Sequence, residues 1–168
     1  MKLDFSKSGK IIIGMKEHVQ NMINDFSVNL KDSSSNTPAG NWLFETRNNS
    51  KKLNDNMAQE FHTMVAKRLF LCKHARPDIQ TTIAFLTTRV QEPDEDDWKK
   101  LLRMMRYLNG SKDLVLTLSA DGTGICKWYI DASYAVHNDL KGHTGSAMTM
   151  GKGSIQSKSI KQKLNTKK

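Results

Sequence analysis

Cysteine is nearly absent from this chain. Its 168 residues hold two, Cys72 and Cys126, far apart and with no Cys-x-x-Cys spacing. That excludes a disulfide framework and gives no zinc signature, and it fits a reducing, intracellular compartment. Long apolar runs are also missing. The longest compact one is Ile11-Ile12-Ile13, far short of the ~18 residues that cross a membrane, so no membrane partner is expected. The N-terminus lacks the apolar core of a secretory signal. What is present is a folded balance, 38% hydrophobic and 26% charged, in a length that suits one ordinary domain or two small ones. The formal charge of +9 favours a polyanionic partner, of which nucleic acid is the commonest, over a basic protein that is merely soluble.

The first two thirds of the chain read as a hairpin followed by helices. In residues 1–15, Leu3 and Phe5 alternate with polar residues, Ser6-Lys7-Ser8-Gly9 turns, and Ile11-Ile12-Ile13 returns. Val19, Met22, Ile23, Phe26 and Leu30 make one helical stripe, predicting a helix from Lys16 to Leu30. Residues 31–54 read as a loop pinned by Trp42, Leu43 and Phe44. A second helix is predicted from Asp55 to Ala75, with Met57, Phe61, Val65, Leu69 and Cys72 buried and Ala58, Met64 and Phe70 beside them. Pro77 interrupts it. Ile79, Ile83 and Leu86 then stripe a third helix, with Asp78 in its first turn. The acidic run Glu92-Pro93-Asp94-Glu95-Asp96-Asp97 reads as the opening of a fourth helix rather than a calcium loop, since it lacks the loop's glycine and alternating ligands. Trp98, Leu101, Leu102, Met105 and Leu108 give that helix its apolar face, and Gly110 stands where it should stop.

From Leu114 the period changes from helical to alternating, which places a boundary near Gly110–Asp113. Leu114, Leu116 and Leu118 alternate, and Ala120-Asp121-Gly122-Thr123-Gly124 turns the chain. Ile125–Ile130 follows as a β-branched and aromatic strand, and Asp131 comes as it gives way to small residues. Ser146–Met150 and Ile155–Ser159 read as two more strands across a Gly151-Lys152-Gly153 turn, which is too short before its lysine for a phosphate loop. Residues 1–110 carry 17 basic against 13 acidic side chains, and 111–168 carry 9 against 4. The tail from Lys152 holds six lysines and no acid, so it either tracks phosphates or frays as a solvated end.

By spacing alone Asp131 either caps a turn or offers one carboxylate to a divalent cation. His137 and His143 read as loop histidines, and His62 and His74 as helix-surface residues. Tyr129-Ile130-Asp131-Ala132 lacks the second Asp of a polymerase Tyr-x-Asp-Asp, so it is not a polymerase centre.

The stretch from Ile125 to His137, with Thr144-Gly145 after it, resembles the opening of the ribonuclease H domain of copia-type retrotransposon Pol polyproteins. Asp131 stands at the first catalytic Asp, Ala132-Ser133-Tyr134-Ala135 at the turn, and Thr144-Gly145 at the next strand. The resemblance extends upstream through Arg76-Pro77-Asp78-Ile79 and 106–113, and downstream to Ser157-Lys158-Ser159 and Lys161-Gln162-Lys163. It implies an α+β fold. A helical thumb-like region, 1–110, would precede the first, incomplete part of an antiparallel ribonuclease H sheet, 113–168. It further implies RNA-templated DNA synthesis and RNA–DNA hybrid hydrolysis in the context of the whole polyprotein, with the rest of Pol as partner.

Asp131 would be the first ligand of a Mg²⁺ site. The remaining carboxylates would come from a Ser-Thr-x-Ala-Glu-like segment and a later Asp, expected beyond Lys168, so the chain alone is expected to be catalytically incomplete. The hybrid or duplex is expected to meet Lys67, Arg68, Lys73, Arg76, Lys158, Lys161 and Lys163, the last three within a basic tail running to Lys168. A non-enzymatic basic nucleic-acid-binding module and a degenerate remnant are the alternative readings.

Overall fold

The fold is mixed α and β, with four helices and two antiparallel sheets, as described by a computed structural model over residues 1–47 and 49–164. The N-terminal hairpin forms as its alternation predicts, β1 (Lys2–Asp4) pairing with β2 (Ile11–Gly14). Helix α1 runs over Lys16–Asn24, shorter than expected. Past Asn24 the sequence offers Asp25, Ser27 and Asn29, whose side chains compete with helical hydrogen bonding. Asn29 accepts from the Lys31 amide, and the Ser27 amide donates to Glu60. Phe26 and Leu30 still reach the core, from irregular backbone rather than from a helix.

Helix α2 (Asp55–His74) opens on Asn54, whose side chain accepts from the Met57 amide. Its buried face is Phe61, Met64, Val65, Arg68, Leu71 and Cys72, whereas Leu69 and Phe70 are exposed. The stripe is therefore rotated from the predicted one, and Arg68 lies inside it. A 3₁₀ turn, Pro77–Ile79, leads into α3 (Gln80–Thr87), which buries Ile83 and Leu86 as expected. The acidic run opens α4 (Glu95–Gly110). Asp94 accepts from the Asp96 and Asp97 amides, and the Asp97 carboxylate in turn accepts from the Asp94 amide in a capping box. Arg89 pairs with both carboxylates at 2.9 and 3.2 Å.

Strand β3 (Leu116–Ala120) begins past the predicted boundary, yet it adds to the N-terminal hairpin through Ile11↔Leu118 and Ile13↔Leu116. The second sheet consists of β4 (Lys127–Ser133), β5 (His143–Thr149) and β7 (Gln156–Lys161), in the order β4-β5-β7. Between β5 and β7 the chain was expected simply to turn. It instead makes a two-residue strand, β6 (Gly151–Lys152), that pairs with β3 and links the two sheets. Gly153 follows at φ +80°, where a Cβ would collide with the Thr117 carbonyl.

The core lies among the helices and includes Met22, Phe61, Leu71, Ile79, Leu86, Leu101, Met104 and Leu108. Arg68 is the anomaly within it. Fully buried, it donates to the Met64 carbonyl and contacts the Met105 sulfur, and no carboxylate among the described residues pairs with it. Burial pushes its guanidinium down to about 9. A buried cation without a counter-ion is costly, and apolar replacement of similar volume removes that cost. Arg68→Met is expected to raise stability by roughly 1 kcal/mol or more, read as a higher midpoint in urea with an unchanged slope.

Candidate nucleic-acid interface

Asp131 is held inside β4 rather than at its end. The ladder with β5 runs unbroken from Lys127↔Thr149 to Ser133↔His143 because Ala132 and Ser133 are small enough to continue it. The register sets Asp131 opposite Gly145 and Ala132 opposite Thr144, and Gly145 in turn lies opposite Ser159 of β7. Asp131 therefore shares a sheet face with Ser159. That face borders an open groove of about 580 Å³, with Tyr129, Asp131 and Ser157 on the sheet side and Pro77, Gln80 and Thr81 on the helical side.

A second groove, about 700 Å³, runs between α2, α3 and β7 and brings together Lys73, Lys158 and Lys161. Lys158 lines both grooves. Lys73 of α2 thus meets Lys158 and Lys161 of β7, and Lys158 links that groove to the one bordered by Asp131. Lys73, Lys158 and Lys163 are exposed, Lys67 is half-buried against Asp25 at 2.7 Å, and Lys161 pairs with Asp139 at 2.9 Å. The predicted basic tail continues to Lys168, and residues 165–168 lie outside the described residues.

Two expected phosphate contacts are not available at the surface. Arg68 is in the core, as described above. Arg76, 2% exposed, is consumed internally: it forks onto Asp78 at 2.8–3.1 Å and donates to the carbonyl and hydroxyl of Ser111. Tyr107 donates to the same Asp78 carboxylate at 2.7 Å. Although burial opposes charge on both Arg76 and Asp78, the pairing holds the arginine up and the carboxyl down. Arg76 ties the end of α2 to the end of α4, which is a structural role.

The histidines expected in a loop are buried. His137 Nε2 lies 3.1 Å from His143 Nδ1, His143 Nε2 lies 2.6 Å from the Ser159 hydroxyl, and Ser159 donates to Thr81 on α3 at 3.3 Å. Phe44 packs against both rings. With neutral imidazoles the bonds run one way, His137 Nε2–H to His143 Nδ1, His143 Nε2–H to the Ser159 hydroxyl, and Ser159 on to Thr81. Spacing in the sequence gave no sign of this, because the burial is supplied by Phe44 and Phe85, far away along the chain.

The residues present do not fit a two-metal centre. Among the described residues, no group of three or more His, Cys, Asp or Glu side chains could hold a metal ion. Asp131 stands alone among serine hydroxyls and Lys158, and one carboxylate cannot organise two ions about 3.5–4 Å apart. Among the same residues, no helix is long and apolar enough to cross a membrane.

No protein-family model and no solved structure matches the chain. It is similar to a Saccharomyces cerevisiae protein named for transposon Ty5-1, at 26% identity over 150 residues, which take in 86% of this chain and 46% of that protein. The chain thus spans about half the length of the curated relative it matches, and it is distantly related to a transposon protein.

Burial pushes His143 down to about 4, with the adjacent His137 adding to the effect, and burial likewise lowers His137. An imidazole whose folded pKa lies below its unfolded value near 6.5 loses stability for the fold as pH falls, because the unfolded chain takes the proton first. The contribution is complete above pH 6.5 and is lost progressively toward pH 4. Stability from urea unfolding is expected to drop by about 3 kcal/mol over that window from His143. His143→Gln is expected to flatten the decline.

Proposed function

We propose that this chain derives from a copia-type retrotransposon Pol polyprotein, spanning the end of the reverse transcriptase and the opening of ribonuclease H. Its own role in this reading is to hold nucleic acid. The observation that carries the reading is the pairing of Asp131-Ala132 with Thr144-Gly145 on adjacent strands, which joins the two parts of the resemblance in one sheet. The similarity to a transposon protein over most of the chain supports it. In the whole polyprotein, RNA-templated synthesis and hybrid hydrolysis would follow, with Asp131 as one of several Mg²⁺ ligands and the others supplied outside this chain. The alternative, a basic module without catalysis, shares the same binding surface.

The surface is the pair of grooves that meet at Lys158. Among the described residues Lys73, Lys158 and Lys163 make no ion pair and so can neutralise phosphates, and Lys161 and Lys67 do so only by giving up Asp139 and Asp25. Binding to an RNA–DNA hybrid or duplex is therefore expected to be independent of sequence and to weaken steeply with salt. On duplex DNA, log affinity should fall with log salt by about 0.9 per phosphate contact, and Lys73→Ala or Lys158→Ala should each reduce that slope by about 1. Arg68→Met and Arg76→Lys should leave the slope unchanged. Fluorescence anisotropy between low and moderate salt measures this, and a flat salt dependence overturns the reading.

The isolated chain is also expected to show no hybrid cleavage with Mg²⁺ or Mn²⁺. Cleavage by nuclease-free protein that vanishes in Asp131→Asn would contradict the single-carboxylate argument.

A further inference from the structure

We propose that the hollow between the loop carrying Trp42 and the first turns of α4 binds a nucleoside diphosphate. It measures about 380 Å³, with Asn41, Trp42 and Arg47 on the loop side and Asp96, Lys99 and Lys100 on the helix side. That volume falls in the range of small-molecule sites, about 300–1,000 Å³. Both walls are fixed by the helical core. Leu43 and Phe44 pack the loop onto it, and Leu101 and Met104 hold α4 in it. None of the lining residues belongs to either sheet.

Lys100 supplies an under-matched charge. It is 3% exposed, yet no carboxylate among the described residues pairs with it. Its ammonium has only the Glu45 carbonyl and the face of Phe85, 4.6 Å from the ring centre. Burial holds it below the ordinary lysine range in spite of Asp97, Asp94 and Asp96 nearby. A desolvated cation with so few partners gains from an anion that reaches it. Beside it, Arg47 and Lys99 share one carboxylate, Asp96, at 3.5 and 3.2 Å. Each keeps further N–H donors for phosphate oxygens. The lining therefore carries three cations against two carboxylates, Asp96 and the exposed Glu45, and Asp96 is already neutralised.

Trp42 supplies a flat face. Its indole lies over Gly40, where a Cβ would come within 2.5 Å of Nε1, so the ring takes this position only because residue 40 has no side chain. The residue is half-buried and borders the hollow. A base stacks on such a ring whatever its identity. The exposed Asn41 amide on the same wall offers a donor and an acceptor to the base edge. An aromatic wall beside three cations selects a ligand that is planar at one end and polyanionic at the other. A nucleoside diphosphate has that form, with its base on Trp42 and its phosphates on Arg47, Lys99 and Lys100.

The test is isothermal titration calorimetry of the nucleic-acid-free full chain with ADP, in the absence of divalent metal. Wild type is expected to bind one ADP with a Kd below about 1 mM. Trp42→Ala and Lys99→Gln are each expected to weaken binding roughly tenfold. Adenosine and inorganic pyrophosphate, which each carry half of the recognised chemistry, are expected to bind at least about tenfold more weakly than ADP. Lys73→Ala and Lys158→Ala are expected to leave ADP affinity unchanged, and Trp42→Ala to leave the salt slope of duplex binding unchanged. The two readings therefore fail independently. The nucleotide can arrive free or as the phosphorylated end of a strand. Displacement of ADP by a 5′-phosphorylated oligonucleotide assigns the second source and no displacement the first, and either result supports the site.

If either variant loses its far-UV circular dichroism, the wild-type chain decides the matter through lysine acetylation read by mass spectrometry. The Lys99 side chain is 62% exposed and reactive without ligand. Saturating ADP is expected to slow its acetylation several-fold and to leave Lys73 and Lys158 at their ligand-free rates. Four results overturn the proposal. They are no binding up to about 5 mM ADP, adenosine or pyrophosphate binding as tightly as ADP, an affinity indifferent to both Trp42→Ala and Lys99→Gln, and protection of Lys73 and Lys158 instead of Lys99.

Discussion

The grip of β7 on α3 decides where everything else stands. Ser159 sits between His143 and Thr81, and Gln80 donates to the Ser157 carbonyl at 3.0 Å. Through these bonds the β4-β5-β7 sheet is seated on the helical body by β7 and by the His143 end of β5, which packs on Phe44, with β4 extending outward. The seating creates both grooves, aligns Lys158 with Lys73, and brings Asp131 over Gln80 and Thr81. It also leaves β4 open on both faces.

Much of this was legible in the sequence where local chemistry dominates. The hairpin follows from alternation, α2 from its length and period, and the acidic opening of α4 from the affinity of carboxylates for helix N-termini. The misses share a physical cause. Arg68 occupies a stripe position, i+7 from Phe61, but counting only apolar residues draws the stripe through Leu69 instead. His137 and His143 look like loop residues until Phe44 covers them, and nothing local announces a contact across some hundred residues. Trp42-Leu43-Phe44 was read correctly as an anchor for the loop, though what it anchors to could not be read. Lys73, Lys158 and Lys161 were each legible as basic; their convergence is a property of topology.

The three buried basic side chains Arg76, Lys100 and Arg68 differ in how far they are matched. Arg76 is fully matched, with a carboxylate fork, a carbonyl and a hydroxyl, and Tyr107 completing the Asp78 side. Lys100 is partly matched: its ammonium donates to the Glu45 carbonyl and lies 4.6 Å from the centre of the Phe85 ring. Arg68 has only a carbonyl and a thioether. The surplus of positive charge counted along the chain therefore overstates what a phosphate backbone meets, because part of it is spent indoors.

The pairing of β2 with β3 bears on how the chain acquires its shape. Residues 11–13 meet residues 116–118, so the sheet begun by the β1–β2 hairpin can grow only once the chain between β2 and β3 has been drawn together. A two-stranded hairpin is marginal in water by itself, and closing so long a loop is slow unless something draws the ends together. The helical core between them does that, bringing Gly14 and Leu116 near each other as α1 and α4 pack. Folding is therefore expected to run from the middle of this chain outward, with β2 and β3 pairing on a body already collapsed.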